Sequence, residues 1–340
     1  MTTERFVVRA PNWLGDAVMA LPALAALRQQ VEGKLIVAVR PGLVPLFEED
    51  TSARPDEIVP VDPDREAAQL KAIDAGTIVL FPNSFNSAWL AFRSGIRDRW
   101  GYRAAGRRGL LTRSVSRPRG HVHQVEYYLE LVRTLGFDAV DDVPRLAARG
   151  ATLERADALL RREGVPADAR LIGLAPGAAY GQAKRWPPPR VAQLIVHAAA
   201  SGLMPVLVGA LNDRATARAI ESALPRDVRV ADLTGRTTLR ELVGVLARCA
   251  AFVSNDSGAM HVAAALGVPL TAIFGPTDER ETAPRGPGVR DVILRDVFCR
   301  PCMLRDCPID HRCMKRISVD AVLESVEKHV ASGPSRVPRP

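Results

Sequence analysis

The aspartate at position 16 follows a glycine in the stretch Ala10-Pro11-Asn12-Trp13-Leu14-Gly15-Asp16, where a short apolar run gives way to an Ala- and Leu-rich one. Gly15 permits a tight turn, and Asp16 falls at the start of the following helix. Two roles are open to such a carboxylate. It can cap the helix by accepting backbone N–H bonds. Alternatively, kept ionised by the helix N-terminus, it can take a proton from a substrate hydroxyl. Neither GxGxxG nor GxxxxGK[ST] occurs here, so the standard dinucleotide and P-loop sites have no support.

Three stretches in the second half place glycine or small residues directly after an apolar run. The first runs from Ala175-Pro176-Gly177 to Lys184-Arg185-Trp186; its small residues let backbone N–H groups approach an anion, and its two cations add charge. The second is Val208-Gly209-Ala210, and the third is Ser254-Asn255-Asp256-Ser257-Gly258-Ala259-Met260-His261. Backbone N–H groups from Ser257 to Ala259 can cradle a diphosphate at a helix N-terminus, while Asp256 and His261 suit a ribose, sugar or phosphate. Singly, each stretch is also explained by loop chemistry, with Asp256 or Ser257 as a cap and His261 as a satisfied, partly buried histidine. Together they favour a nucleotide site.

Four of the five cysteines are clustered as Cys299-x2-Cys302-x4-Cys307-x5-Cys313, with His311 inside. In a cytosolic protein this pattern suits a metal better than disulfides, with structural zinc first, although the spacing matches no zinc finger well. A set of reduced thiols in a tight loop explains it equally. Cys249 ends a predicted helix and is expected to be buried, and His121-x-His123 is a weaker ligand set.

Strand-like and helix-like segments alternate along the chain, the signature of parallel sheets wrapped by helices. The first half offers strands at 5–9, 35–39, 57–61 and 77–81, and helices at 17–30, 123–135 and 153–162. The rhythm restarts with strands at 171–175, 205–208, 228–231, 251–254 and 270–274, and helices at 190–200, 213–223, 239–248 and 259–266. This predicts two α/β domains, an N-terminal one over 1–165 and a C-terminal one over 166–330, with a loose tail at 331–340. Ligands of such folds bind beyond the carboxyl ends of the strands, in the cleft between domains.

Length and charge narrow the partners. The 340 residues suffice for two cores, and 46 basic against 38 acidic residues leave a net charge of +8. Five of the basic residues are Lys, so 41 are Arg. A GC-rich genome explains that bias; so does recognition of phosphate or carboxylate by the planar guanidinium. Nine Arg lie between Arg93 and Arg119, Arg97 and Arg99 among them, interleaved with Trp89, Phe92, Trp100 and Tyr102. Such a mix suits a phosphorylated glycan, a nucleic acid or an anionic membrane surface. No apolar run is long enough to span a bilayer and the N-terminus lacks signal-peptide order, so the expected location is cytoplasmic.

Segments 11–28, 177–187 and 255–278 resemble, in order, the opening, central and third motifs of the bacterial heptosyltransferases of glycosyltransferase family nine. Segment 83–111 is similar to the family's acceptor-side region, and the likeness extends over roughly residues 5–330. It implies a GT-B architecture of two Rossmann-like domains facing across a cleft, with the final helix packing back toward the first. It also implies inverting, metal-independent transfer of heptose from ADP-L-glycero-D-manno-heptose to a heptose of the lipopolysaccharide inner core, on heptosyl-Kdo-lipid A. Under that resemblance Asp16 is the general base and Lys184 binds the donor diphosphate. Asp256, Gly258 and His261 form the donor-binding turn, joined on the donor side by Gly177, Arg185, Gly209 and Ser257. Asn12, Trp13, Arg93, Arg97 and Arg99 are the acceptor-side candidates, and the enzyme is expected to touch the inner face of the inner membrane without nucleic acid. The cysteine cluster departs from the family pattern and leaves open a structural metal and a subfamily with another sugar or acceptor. A nucleotide-sugar epimerase of the same fold and a metal-stabilised nucleic-acid-binding protein are the competing classes.

Overall fold

The computed structural model describes residues 4–331, and the chain divides between Arg145 and Leu146 into two compact units. The first contains a six-stranded sheet in the spatial order Glu57–Pro60, Lys34–Val39, Arg5–Arg9, Thr77–Leu80, Asp98–Tyr102, Arg113–Val115. Every pairing in it is parallel. Its strands are nearly continuous in apolar residues because helices cover both faces: Val7, Val8, Ile36, Val37, Ile78 and Val79 are fully buried.

The second unit repeats the plan in the order Ala231–Asp232, Leu203–Leu207, Arg170–Ala175, Cys249–Asn255, Leu270–Ile273, Arg290–Ile293, again all parallel. In each sheet the strand order reverses beside the unit's first strand, which is the arrangement of a dinucleotide-binding fold. The switch points therefore lie at the carboxyl ends of Arg5–Arg9 and Thr77–Leu80 in one unit, and of Arg170–Ala175 and Cys249–Asn255 in the other.

Several expectations shift. The helix expected over 17–30 is two, Leu14–Met19 and Leu21–Gln30, because Pro22 lacks an N–H and sits in the first turn of the second. The unit boundary falls about twenty residues before the expected 165/166. The reason is the helix Gly150–Arg162, which packs on Leu239–Ala247 so closely that a Cβ on Gly244 would lie 2.6 Å from the Thr152 carbonyl oxygen. The last helix, Val319–Ala331, buries Val322 and Val326 in the second unit's core with Leu194 and Ile273. Of the expected tail, all beyond Ala331 lies outside the described residues.

His329 anchors that last helix. It is buried, its Nε2 lies 3.3 Å from an Asp291 carboxylate oxygen, and its Nδ1 lies 3.4 Å from the Thr271 hydroxyl. Burial holds its pKa below the ordinary histidine value, against the pull of Asp291. The folded state thus prefers neutral imidazole. The associated stability is complete above the unfolded pKa of about 6.5 and is lost as pH falls through that value toward the folded one. Thermal unfolding followed from pH 8 to 5 is expected to show the Tm gap between wild type and His329→Gln shrinking below about pH 6.5.

Candidate active site

In the first unit the strand Arg5–Arg9 runs into the loop that carries Asn12 and Trp13. Trp13, 68% exposed, occupies the cap position of the helix Leu14–Met19, and no side chain caps that helix. Asp16 is therefore not the cap; it stands inside the first turn, half-buried, where its charge meets the helix N-terminus. Beneath lies Tyr128, whose ring packs on Phe81 at 5.0 Å. Its phenol is pushed well above the usual range, chiefly by burial and next by the negative charge of Asp16.

The loop is pinned from below. Arg9 and Glu66, each 2% exposed, pair at 2.8 Å. Arg9 also donates to the Ala10 carbonyl at 2.5 Å and to Asn12 Oδ1 at 2.8 Å, and Arg40 donates to the same Asn12 oxygen at 3.2 Å. The amide oxygen of Asn12 is thus engaged within the protein. Glu66→Gln leaves the Arg9 charge buried without its counter-ion, and is expected to cost about 3–5 kcal/mol in a urea unfolding titration.

In the second unit Lys184 Nζ lies 2.5 Å from an Asp256 carboxylate oxygen, both side chains nearly buried. The same oxygen accepts from the Thr277 hydroxyl at 2.8 Å, and the Lys184 ammonium lies 4.9 Å from the centre of the Tyr180 ring. Asn255 ties this floor together: its Nδ2 donates to the Pro176 carbonyl at 2.6 Å, and its Oδ1 accepts from the Trp186 backbone N–H at 3.3 Å. Ser257 caps the helix Gly258–Ala265 by position only, since its hydroxyl lies 3.0 Å from that of Ser254 instead of bonding the helix. First-turn N–H groups of that helix have no intrahelical acceptor, and His261 is buried in the same turn.

Arg185 faces elsewhere. Its guanidinium donates to Asp213 Oδ1 and to the Thr216 hydroxyl, both at 3.1 Å. Asp213 also explains two glycines assigned to phosphate approach. A Cβ on Gly177 would come 2.1 Å from the Asp213 carboxyl carbon, and one on Gly209 would come 3.2 Å from its Cβ. Both positions are small because this carboxylate packs against them. Lys184, Asp256, Ser257, Gly258 and His261 therefore gather at the switch point, while Gly177, Arg185 and Gly209 surround Asp213. Asp213, Asn255, Thr277 and Tyr180 were not anticipated as site residues. For Asp213 a signal existed: a carboxylate just before a helix, here accepting from the Ala210 N–H at 3.0 Å.

Residues 65–312 match the sequence pattern of "Glycosyltransferase family 9 (heptosyltransferase)". This chain belongs to glycosyltransferase family 9. It is 30% identical over 308 residues to lipooligosaccharide heptosyltransferase 2 of Haemophilus influenzae, covering 82% of this chain and 85% of that one. It is 31% identical to lipopolysaccharide heptosyltransferase 2 of Salmonella typhimurium, over 85% and 88% of the two chains. The solved structure of E. coli ADP-heptose LPS heptosyltransferase II aligns with a TM-score of 0.80 at 26% identity, covering 97% of this chain and 99% of that one. The two parallel-sheet units are thus those of a GT-B glycosyltransferase.

The arginine-dense segment of this family 9 glycosyltransferase has divided duties. Arg93 and Arg97 are exposed, Arg97 beside Asp98 at 3.1 Å. Arg99, also proposed for the acceptor, bonds the carbonyls of Leu110, Ile96 and Arg97 at 2.6–2.8 Å and stacks over Phe92 at 5.4 Å, so it braces its own segment. Arg107, not among the site candidates, is fully buried. It donates to Tyr102 O at 2.8 Å, Pro82 O at 2.5 Å and the Ser87 hydroxyl at 3.0 Å, and burial lowers its pKa to about 10. His123 is spent on capping: its Nδ1 accepts from the Val125 N–H at 3.2 Å, which removes it from the weak His121/His123 ligand set. Cys249 is buried as expected, but it begins a strand rather than ending a helix.

Proposed function

We propose that this family 9 enzyme transfers heptose from ADP-L-glycero-D-manno-heptose to a heptose of the lipopolysaccharide inner core, as its heptosyltransferase 2 relatives suggest. One observation carries the donor assignment. A lysine held by a buried carboxylate stands beside a helix N-terminus at the switch point of the second unit. There the ADP diphosphate would draw the Lys184 ammonium into shared contact and lie against the first-turn N–H groups of Gly258–Ala265. As the sugar–phosphate bond breaks, the leaving ADP gains charge, and these fixed donors stabilise it. The transfer is proposed to run without a catalytic metal.

The acceptor hydroxyl attacks the anomeric carbon from the face opposite ADP, which inverts the configuration. Asp16 takes the hydroxyl proton as the new bond forms. Its support is its place in the first helical turn at the other switch point, held by the Arg9–Glu66–Asn12 tie. Mass spectrometry of ADP-heptose incubated with heptosyl-Kdo-lipid A tests the whole assignment. Addition of one heptosyl unit with release of ADP is expected. Product from another nucleotide sugar alone would move the donor assignment, and rearranged donor without acceptor would make the enzyme an epimerase.

A peripheral contact with the inner face of the inner membrane completes the proposal. No helix among the described residues is long and apolar enough to cross a membrane. The helix Phe85–Arg93, however, leaves Phe85, Trp89 and Phe92 exposed along one side, with Arg93 and Arg97 exposed nearby. Aromatic rings beside cations suit an anionic lipid surface. Co-sedimentation is expected with phosphatidylglycerol-containing vesicles and not with phosphatidylcholine alone. The triple variant Phe85→Ser, Trp89→Ser, Phe92→Ser should lose most of that binding.

A further inference from the structure

We infer that Cys299, Cys302, Cys307 and Cys313 hold one transition-metal ion of the tetrahedral zinc type through four thiolates. In sequence, a metal and a set of reduced thiols explain the cluster equally; the convergence of all four side chains on one cavity favours the metal. All four cysteines are unpaired and line one cavity of about 20 Å³, closed by Ala183, Pro276 and Ile309. Between the strand ending at Ile293 and the helix starting at Arg312 the chain has neither helix nor strand. A structureless segment of that length needs something else to order it, and the cysteines are spread along it and into the following helix.

The surroundings suit bound thiolates. The His311 backbone N–H donates to Cys307 Sγ at 3.3 Å, a bond that favours charged sulfur. Four thiolates around a divalent ion leave two negative charges; Arg300 and Arg312 line the same cavity, each also paired with a carboxylate, Glu279 at 2.5 Å and Asp310 at 2.9 Å. Among the described residues no three of the sulfurs come within 4.8 Å of one another. Metal–sulfur distances of about 2.3 Å would therefore draw the loop inward. The thiol protons displaced by the metal leave to solvent.

The loop so tightened supports the donor side. Arg305 O accepts from the Ala183 N–H at 2.9 Å, Met303 O accepts from the Tyr180 hydroxyl at 2.8 Å, and the N–H groups of Cys302 and Met303 donate to Pro276 O at 3.0 and 2.9 Å. Gly181 leaves no room for a side chain, since a Cβ there would lie 2.3 Å from Arg305 O. A metal at the cysteines thus braces the segment ending at Lys184. The functional weight of that brace rests on the donor assignment; the metal site itself does not.

Elemental analysis of untagged full-length protein, purified without chelators, tests the site. About one zinc or iron ion per chain is expected, released as a mercurial reagent titrates four thiols and detected with a chromogenic chelator. The double variant Cys302→Ser, Cys307→Ser should lose the ion. In the stripped wild-type chain, hydrogen exchange at the Ala183 amide should quicken, and added zinc should restore its protection. Metal-free protein that takes up no ion when incubated with zinc, its four thiols equally reactive before and after, would overturn the proposal. So would an ion retained by the double variant. None of these readouts depends on transfer, so failure here is distinguishable from failure of the heptosyltransferase assignment.

Discussion

Asp16→Asn is expected to lower heptosyl transfer by about 10²- to 10⁴-fold, the range associated with a general base. ADP affinity and folding should stay near wild type. Asn has the shape of Asp, but it cannot take a proton. The side chain stands in the first turn of Leu14–Met19 without serving as its cap, so removing the charge costs the helix only about 0.3–1 kcal/mol. The neighbouring Tyr128 supplies an internal check. Its raised pKa owes a share to the Asp16 charge, so the Asn variant should move the phenol's titration downward while the fold persists. Coupled detection of ADP release under saturating donor and acceptor measures the rate. A variant that retained most of the wild-type kcat would remove Asp16 from the base role.

The second large effect is expected at Lys184. Its ammonium neutralises an Asp256 side chain that is only 7% exposed. Lys184→Ala should therefore do two things at once. It strips the buried carboxylate of its partner, at a cost of about 3–5 kcal/mol. It also removes a charge-assisted contact to the donor diphosphate worth about 1.5–3 kcal/mol, or roughly 10- to 100-fold in affinity. The double variant Lys184→Ala, Asp256→Asn separates the effects: it should regain much of the lost stability and none of the donor affinity. Thermal unfolding and ADP calorimetry on both variants read the two quantities independently. Donor affinity that recovered along with stability would make Lys184 purely structural.

What sequence reveals here depends on how local the cause is. Runs such as Phe6-Val7-Val8 and Leu35-Ile36-Val37-Ala38-Val39 announce buried strands, because both faces of a parallel sheet are covered. The first-turn position of Asp16 was legible from the turn before it, and the strand-end positions of Lys184, Asp256 and Gly258 from their motifs. The roles of Gly177, Gly209 and Arg185 were not legible, because all three answer to Asp213, at least four residues away in sequence and touching them only after folding. Arg99 and Arg107 look alike in sequence, yet one braces a surface turn and the other is sealed inside. The early unit boundary has a similar origin. Gly150–Arg162 reads as an ordinary amphipathic helix until its partner Leu239–Ala247 is known.

Sealed in as it is, Arg107 changes what ionic strength can do to this enzyme. With its pKa near 10 it remains positive at neutral pH, and its hydrogen-bond partners are neutral oxygens of Tyr102, Pro82, Asn83, Ser84 and Ser87. Mobile counter-ions can gather around Arg93 and Arg97 at the surface, but they cannot reach a guanidinium with no exposed area. The first unit therefore carries two kinds of positive potential around the helix Phe85–Arg93: an outer one at its end that salt erases, and an inner one at its start, built into the fold, that persists.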